Sequence, residues 1–162
     1  MKYKVPDSTR IGHSHLKVSD LKRALTFYQD ILGFEITQWY GDSAVFLSAG
    51  GYHHHIGLNT WYSKGAGAAP RNACGLFHTA ILYSTRKALA VALQQILKAN
   101  YPITGASDHG VSEAIYLDDP DGNGVEIYWD KPKSQWPVDS AGKLKMVTEA
   151  LDLEDLLKEA KV

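Results

Sequence analysis

The sequence predicts an α+β fold in which two β-α-β-β-β repeats form a cupped, eight-stranded mixed sheet, an incomplete barrel, followed by a C-terminal helix. Two repeated patterns predict it. The His-x-x-Leu-x-Val of residues 13–18 returns as His-x-x-Ile-x-Tyr at residues 78–83, and Ala-Val-Phe-Leu at 44–47 returns as Ala-Ile-Tyr-Leu at 114–117. Because one copy alone could not bury a face of its sheet, we expect the two copies to pack against each other.

The first repeat spans residues 10–62. Polar and apolar residues alternate over 11–18, which predicts a strand. Ser19 is expected to cap a helix whose apolar residues recur at helical spacing until Gly33 ends it. Three further strands are predicted over residues 34–40, 44–48 and 52–59.

The second repeat spans residues 76–131 and follows a Gly-rich connecting loop at 63–75. A strand at 76–83 precedes a helix capped by Ser84 or Thr85, and strands follow at 102–107, 113–117 and 124–130. If the first hairpin is shifted by one residue, His55 takes the place that Glu126 has in the second repeat. Leucines near the end of the extension at 132–162 predict a short amphipathic helix outside the sheet, so residues 1–162 form one domain.

Composition restricts the classes of function. A net charge of −1 gives no reason to expect nucleic acid or an anionic membrane as a partner, and no apolar run has the length of a membrane span. The single cysteine precludes a disulfide framework, which is typical of a reducing compartment. We therefore expect a cytoplasmic protein.

Two histidines and one glutamate form a candidate metal site. His13 and His78 open the first strand of each repeat, and Glu126 lies on the last strand. Two imidazoles and one carboxylate are the protein ligands of non-heme Fe(II) enzymes. For Glu126 alone, a solvent-facing position on a half-exposed strand is an equal alternative, and a lone histidine is more often structural. His15 shares a strand face with His13, but the repeat favours His13 because His15 aligns with Ala80.

Several motifs resemble one family. Residues 11–21 (Ile-Gly-His-Ser-His-Leu-Lys-Val-Ser-Asp-Leu) and 27–34 resemble the vicinal oxygen chelate superfamily, which includes glyoxalase I, bleomycin-resistance proteins and extradiol ring-cleaving dioxygenases. The motifs at residues 51–59, 105–113 and 119–128 resemble its catechol 2,3-dioxygenase-type members more specifically. The resemblance extends over nearly the whole chain, to about residue 136.

The resemblance also implies roles for individual residues. The superfamily's ligand positions correspond to His13, His78 and Glu126. In extradiol dioxygenases the fourth strand carries an acid/base histidine, which corresponds to His54, whereas glyoxalase I draws a ligand from a position near His55. A tyrosine ten residues before the ligand glutamate corresponds to Tyr116, and a histidine in the preceding loop corresponds to His109.

The function that we expect is therefore a metal-dependent extradiol-type dioxygenase, an oxidoreductase of aromatic compound degradation. Its expected cofactor is Fe(II), with Mn(II), Zn(II) or Ni(II) as alternatives. Its expected partners are an aromatic vicinal diol and O₂, and a homodimer is the candidate assembly.

Two other functions are weighed against it: a glyoxalase-type lyase or isomerase, and a protein that sequesters a small drug. The intact His/His/Glu set argues against sequestration, and the His-His-His-Ile stretch favours ring cleavage. Strand alternation places His54 on the opposite face from His53 and His55, unless a bulge turns one of them. The metal pocket can therefore be faced either by His54 or by His53 and His55, but not by all three.

Overall fold

The computed structural model describes residues 2–161 as two mixed sheets with helices packed on their outer faces. The first repeat contains β1 (Ser14–Lys17), α1 (Leu21–Leu25) continued by a π-helical turn (Thr26–Ile31), β2 (Glu35–Tyr40), β3 (Ala44–Ser48) and β4 (Ile56–Asn59). The second contains β5 (Thr79–Leu82), α2 (Arg86–Lys98), β6 (Gly105–Asp108), β7 (Ser112–Asp118) and β8 (Gly124–Asp130). The C-terminal extension adds a 3₁₀ turn (Lys133–Gln135), β9 (Glu149–Ala150), α3 (Leu153–Lys158) and a second 3₁₀ turn (Glu159–Lys161).

The two repeats have the same strand order and register, which confirms the predicted duplication. β1 runs parallel to β4 with Ser14 opposite Ile56, and β5 runs parallel to β8 with Thr79 opposite Val125. The sheet orders are β1-β4-β3-β2 and β5-β8-β7-β6-β9. Ser14 and Thr79 are therefore equivalent positions, and so are the histidines that precede them.

The predicted incomplete barrel is confirmed, but its strands form two sheets, of four and five strands, instead of one eight-stranded sheet. Within residues 2–161, β1 and β5 are both edge strands, and a cleft of about 370 Å³ lies between them. The repeats nevertheless share one apolar core, which includes residues of both sheets and α3. They are also joined by the hydrogen bond from Tyr28 to Asp119 (3.0 Å) and by the Arg23–Asp121 ion pair.

The ends of several elements differ from the predictions. Asp20, not Ser19, caps α1, because its carboxylate accepts from the Arg23 amide at 2.7 Å. Thr85 caps α2, as one of the two predicted candidates. β4 begins at Ile56, so residues 52–55 lie outside the strand, and this changes the orientation of the histidines there.

The C-terminal helix is present, as predicted, and packs against α2 with Leu156 buried in the shared core. Arg86, in the first turn of α2, holds the C-terminal helix in place through ion pairs. The guanidinium lies 2.8 Å from Glu113 on β7 and 3.0 Å from Asp155 on α3, with Glu159 at 3.4 Å. None of the described helices is long and apolar enough to cross a membrane.

Replacing Arg86 with methionine should lower the free energy of unfolding by about 3 kcal/mol, because Glu113 would remain buried without its partner. The side chains of Arg86 and Glu113 are only 22% and 8% exposed. Lys158→Met is the matched control on α3, since it removes only an exposed pair with Asp155 that solvent screens. Urea unfolding of both variants measures this; equal effects would contradict the role given to Arg86.

Candidate metal and active site

His78 and Glu126 meet on the face of the second sheet that is turned away from its helices. Val125 and Ile127 point into the core, so strand alternation turns Glu126 to the opposite face. There Glu126 Oε2 lies 2.9 Å from His78 Nε2, and the Glu126 side chain is 13% exposed. The solvent-facing alternative for Glu126 therefore does not hold.

Gly124 allows this approach. A Cβ at that position would lie 2.1 Å from the Phe77 carbonyl oxygen and 3.1 Å from His78 Cβ. Any larger residue would push the start of β8 away from His78. Gly124, the last residue of the Asp-Gly-Asn-Gly turn, thus allows His78, which directly precedes β5, to approach Glu126 on β8.

Tyr116 and His109 extend the cluster. Tyr116 lies directly opposite Glu126 in the β7–β8 register, and its hydroxyl is 2.7 Å from His109 Nε2. Burial raises the pKa of Tyr116, and the negative charge of nearby Glu126 raises it further. The hydroxyl therefore keeps its proton at neutral pH, so that Tyr116 can act as a hydrogen-bond donor.

The His78–Glu126 pair fits a divalent cation. Two ligands at about 2.1 Å from an octahedral ion, on adjacent positions, lie about 3 Å apart, which is the separation of His78 Nε2 and Glu126 Oε2. His78 Nδ1 is also buried without a hydrogen-bond partner among the described residues. Nε2, which faces the Glu126 carboxylate, is the nitrogen that would coordinate the ion.

His13 belongs to a second cluster, in the first repeat. Its ring centroid lies 4.4 Å from that of His54 and 6.3 Å from that of His53. His54 also packs against Phe46 at 4.9 Å. Burial lowers the pKa of His54, and the charges of the surrounding histidines, foremost His13, lower it further.

The structure therefore brings together two of the three predicted ligands. Within residues 2–161 no three histidine, cysteine, aspartate or glutamate side chains stand close enough to hold one ion. His13 does line the cleft between β1 and β5, as do Thr79 and Ala80 of the second repeat. Its place as third ligand stays a prediction.

The orientation of the 52–55 histidines departs from simple strand alternation. The ring centroids of Tyr52 and His53 are 4.1 Å apart and those of His53 and His54 are 4.6 Å apart, so consecutive side chains contact each other. His55 turns elsewhere: its Nδ1 lies 3.1 Å from Ser48 Oγ and 3.3 Å from the Ala49 amide. Thus His54 stands beside His13, and His55 is engaged with β3.

The expected correspondence of His55 with Glu126 is wrong. Since Ile56 is equivalent to Val125, the residue equivalent to Glu126 is Gly57. A Cβ on Gly57 would lie 2.9 Å from the His15 ring, so His15 covers the place of a first-repeat carboxylate. His15 itself packs against Phe46 and Trp61, with ring centroids 5.7 and 5.4 Å away.

Sequence reasoning missed the main chain of Val147 as part of this site. Its carbonyl oxygen lies 3.0 Å from His109 Nδ1, although the two residues are 38 positions apart. The segment that carries it has no motif or periodicity. The sequence therefore carries no signal that points to this contact.

Comparisons with known proteins agree with the fold. Residues 10–127 match the family model of the Glyoxalase/Bleomycin resistance protein/Dioxygenase superfamily. The chain is 40% identical over 157 residues to a catechol-2,3-dioxygenase of Bacillus subtilis (strain 168), covering 96% of this chain and 54% of the relative. It is 29% identical over 123 residues to biphenyl-2,3-diol 1,2-dioxygenase 3 of Rhodococcus globerulus, covering 75% and 63%. The chain thus spans about half the length of the Bacillus relative.

Solved structures share the fold. A glyoxalase/dioxygenase from Nostoc punctiforme superposes with a TM-score of 0.62 at 16% identity, covering 82% of this chain and 99% of the other. A lactoylglutathione lyase from Agrobacterium tumefaciens gives 0.59 at 21% identity, covering 76% and 96%. At these identities the likeness concerns the fold alone.

Proposed function

The chain belongs to the Glyoxalase/Bleomycin resistance protein/Dioxygenase superfamily, and from this premise we propose that it is an extradiol-type dioxygenase cleaving a catechol-like vicinal diol with O₂. The observation that carries the proposal is the contact of His78 with Glu126, beside Tyr116 and His109. The names of the Bacillus and Rhodococcus relatives support the same reaction and substrate class.

His78 and Glu126 would hold a divalent ion, with His13 as the proposed third ligand and Fe(II) as the proposed metal. Two histidines and a carboxylate suit Fe(II) and leave coordination positions for small molecules. When bound, such an ion lowers the pKa of a coordinated hydroxyl and provides the redox chemistry that O₂ requires.

His54 is the proposed acid/base group. Its Nδ1 lies 2.8 Å from His53 Nδ1, so its Nε2 is the nitrogen left to exchange a proton. Because burial and the neighbouring histidines lower its pKa, His54 is neutral near pH 7 and able to accept a proton from the diol. Tyr116 is proposed to orient the diol oxygen beside Glu126.

The glyoxalase-type alternative would use His55 as a fourth ligand. The contacts of His55 with Ser48 and Ala49, rather than with His13 or Glu126, favour the dioxygenase. A sequestering protein would have no use for a His78–Glu126 pair, and this supports an enzyme.

The test is anaerobic purification with Fe(II), followed by addition of catechol or biphenyl-2,3-diol in aerated buffer. We expect a yellow ring-opened product and the uptake of one O₂ per diol. Glu126→Gln, which keeps the side-chain size and removes the charge, is the matched control and should form no product. Iron-loaded protein that consumes no O₂ with either diol would contradict the proposal.

A further inference from the structure

The C-terminal extension lies directly on His109. The His109 carbonyl accepts from the Val147 amide at 3.1 Å, and His109 Nδ1 lies 3.0 Å from the Val147 carbonyl oxygen. β9 then pairs with β6 and becomes the edge of the second sheet, with Glu149 opposite Asp108. The histidine is thus held by main-chain atoms of a segment outside both repeats.

These contacts determine which ring nitrogen carries the proton. A carbonyl oxygen only accepts, so the contact with Val147 requires a proton on His109 Nδ1. In the neutral ring Nε2 then has the lone pair, and it faces the Tyr116 hydroxyl at 2.7 Å. Thr148 Oγ1, at 3.4 Å from Nδ1, is a second acceptor on the same side.

We infer that the C-terminal extension is a positioning element of the site: the Val147 carbonyl fixes the Nδ1–H tautomer of His109, which makes Nε2 the acceptor of the Tyr116 hydroxyl proton. The consequence for turnover rests on the proposed function, whereas the tautomer does not. With its proton directed to His109, Tyr116 presents oxygen lone pairs to the rest of the site and can accept a hydrogen bond from a diol hydroxyl.

The loop of His109 is shaped for this contact. Asp108 accepts from the Gly110 amide at 2.7 Å and from Lys131 Nζ at 2.6 Å, which fixes the turn. Gly110 has φ +75°, and a Cβ there would lie 2.8 Å from Pro137 Cγ and 3.3 Å from Val147 Cγ2. A side chain at residue 110 would therefore displace the extension from His109.

Gly110→Ala tests the inference, with Gly142→Ala as its matched control. Gly142 lies in the same extension with φ +74°, but nothing stands within 4 Å of its added Cβ. Both variants carry a similar backbone strain, so only Gly110→Ala adds the collision with Pro137 and Val147. Comparing the two variants separates the effect of displacing the extension from the effect of backbone strain.

The readout is the tautomer of His109, from long-range ¹H–¹⁵N correlation spectra of ¹⁵N-labelled protein loaded with diamagnetic Zn²⁺ and of protein without added metal. His109→Gln identifies the signals by their loss. We expect the Nδ1–H pattern in the wild-type chain and in Gly142→Ala, and a shift towards Nε2–H in Gly110→Ala. An Nε2–H pattern in the folded wild-type protein would overturn the inference even if Gly110→Ala fails to fold. An unchanged Gly110→Ala spectrum would overturn it as well.

Activity is a second readout, and unlike the tautomer it depends on the proposed function. Gly110→Ala should bind as much metal as the wild type and lose about tenfold to a hundredfold in turnover, the usual effect of losing an outer partner. Full turnover in a variant with an altered tautomer would overturn the positioning role. If no diol is cleaved by the wild type, the proposed function fails while the tautomer measurement still stands.

Discussion

His78→Ala should lose more than about a hundredfold in affinity for divalent metal, and should purify with almost none where the wild-type chain holds one ion. His78 is the residue in contact with Glu126, and its removal leaves a carboxylate that is 13% exposed facing a gap. A single buried carboxylate binds a dication far more weakly than a chelating set does. Metal analysis by mass spectrometry after anaerobic loading measures the loss.

Variants of the other proposed ligands show which residues hold the metal in the same experiment. Glu126→Gln and His13→Ala should also lose the ion. His15→Ala is the matched control, because His15 lies on β1 two residues after His13 and the second repeat naturally has Ala80 at that position. Loss of metal in His15→Ala with retention in His13→Ala would transfer the third ligand position to His15, and full metal content in His78→Ala would remove the site altogether.

Much of the fold was predictable because the two repeats carry the same sequence patterns. The apolar runs of β3 and β7 occur at equivalent places in the two repeats, and so do the histidines before β1 and β5. The two helices carry cap residues and helical spacing. The separation into two sheets was not predictable, because pairing between β1 and β5 depends on backbone hydrogen bonds between short edges and leaves no mark in side-chain order.

The site was predictable where a regular strand carries it. Alternation along β8 places Glu126 away from the core, and the register places it opposite Tyr116. The predicted strand at 52–59 was wrong at its start, because the chain turns at Gly50 and Gly51, which both adopt positive φ, 65° and 78°. The chain leaves strand geometry there, so alternation no longer determines which histidine faces His13.

The position of His109 shows another limit. Its role was assigned by resemblance, but the partner that orients it is a main-chain carbonyl 38 residues later. Any residue except proline at 147 offers the same amide and carbonyl, so side-chain identity carries no signal. Such contacts become visible only when α3 and the Arg86 ion pairs return the extension to the second sheet.

His54→Ala should keep its iron and bind catechol, yet turn over about 10² to 10⁴ times more slowly than the wild type, the usual contribution of a general acid–base group. The structure places the His54 ring against that of His13 without joining it to Glu126 or His78. The substitution therefore removes a proton acceptor and leaves the proposed ligands in place. An unchanged KM for catechol with a reduced kcat would separate loss of proton transfer from loss of binding.

His55→Ala is the matched control for His54→Ala. His55 adjoins His54 in the chain, but its ring contacts Ser48, Ala49 and Tyr52 instead of His13. Its removal should leave metal content and turnover within a few-fold of the wild type, since it costs only two ordinary hydrogen bonds, both at His55 Nδ1. If His55→Ala loses the metal while His54→Ala keeps both metal and turnover, a fourth ligand of glyoxalase type replaces the acid/base histidine, and the ring-cleavage proposal loses its proton acceptor.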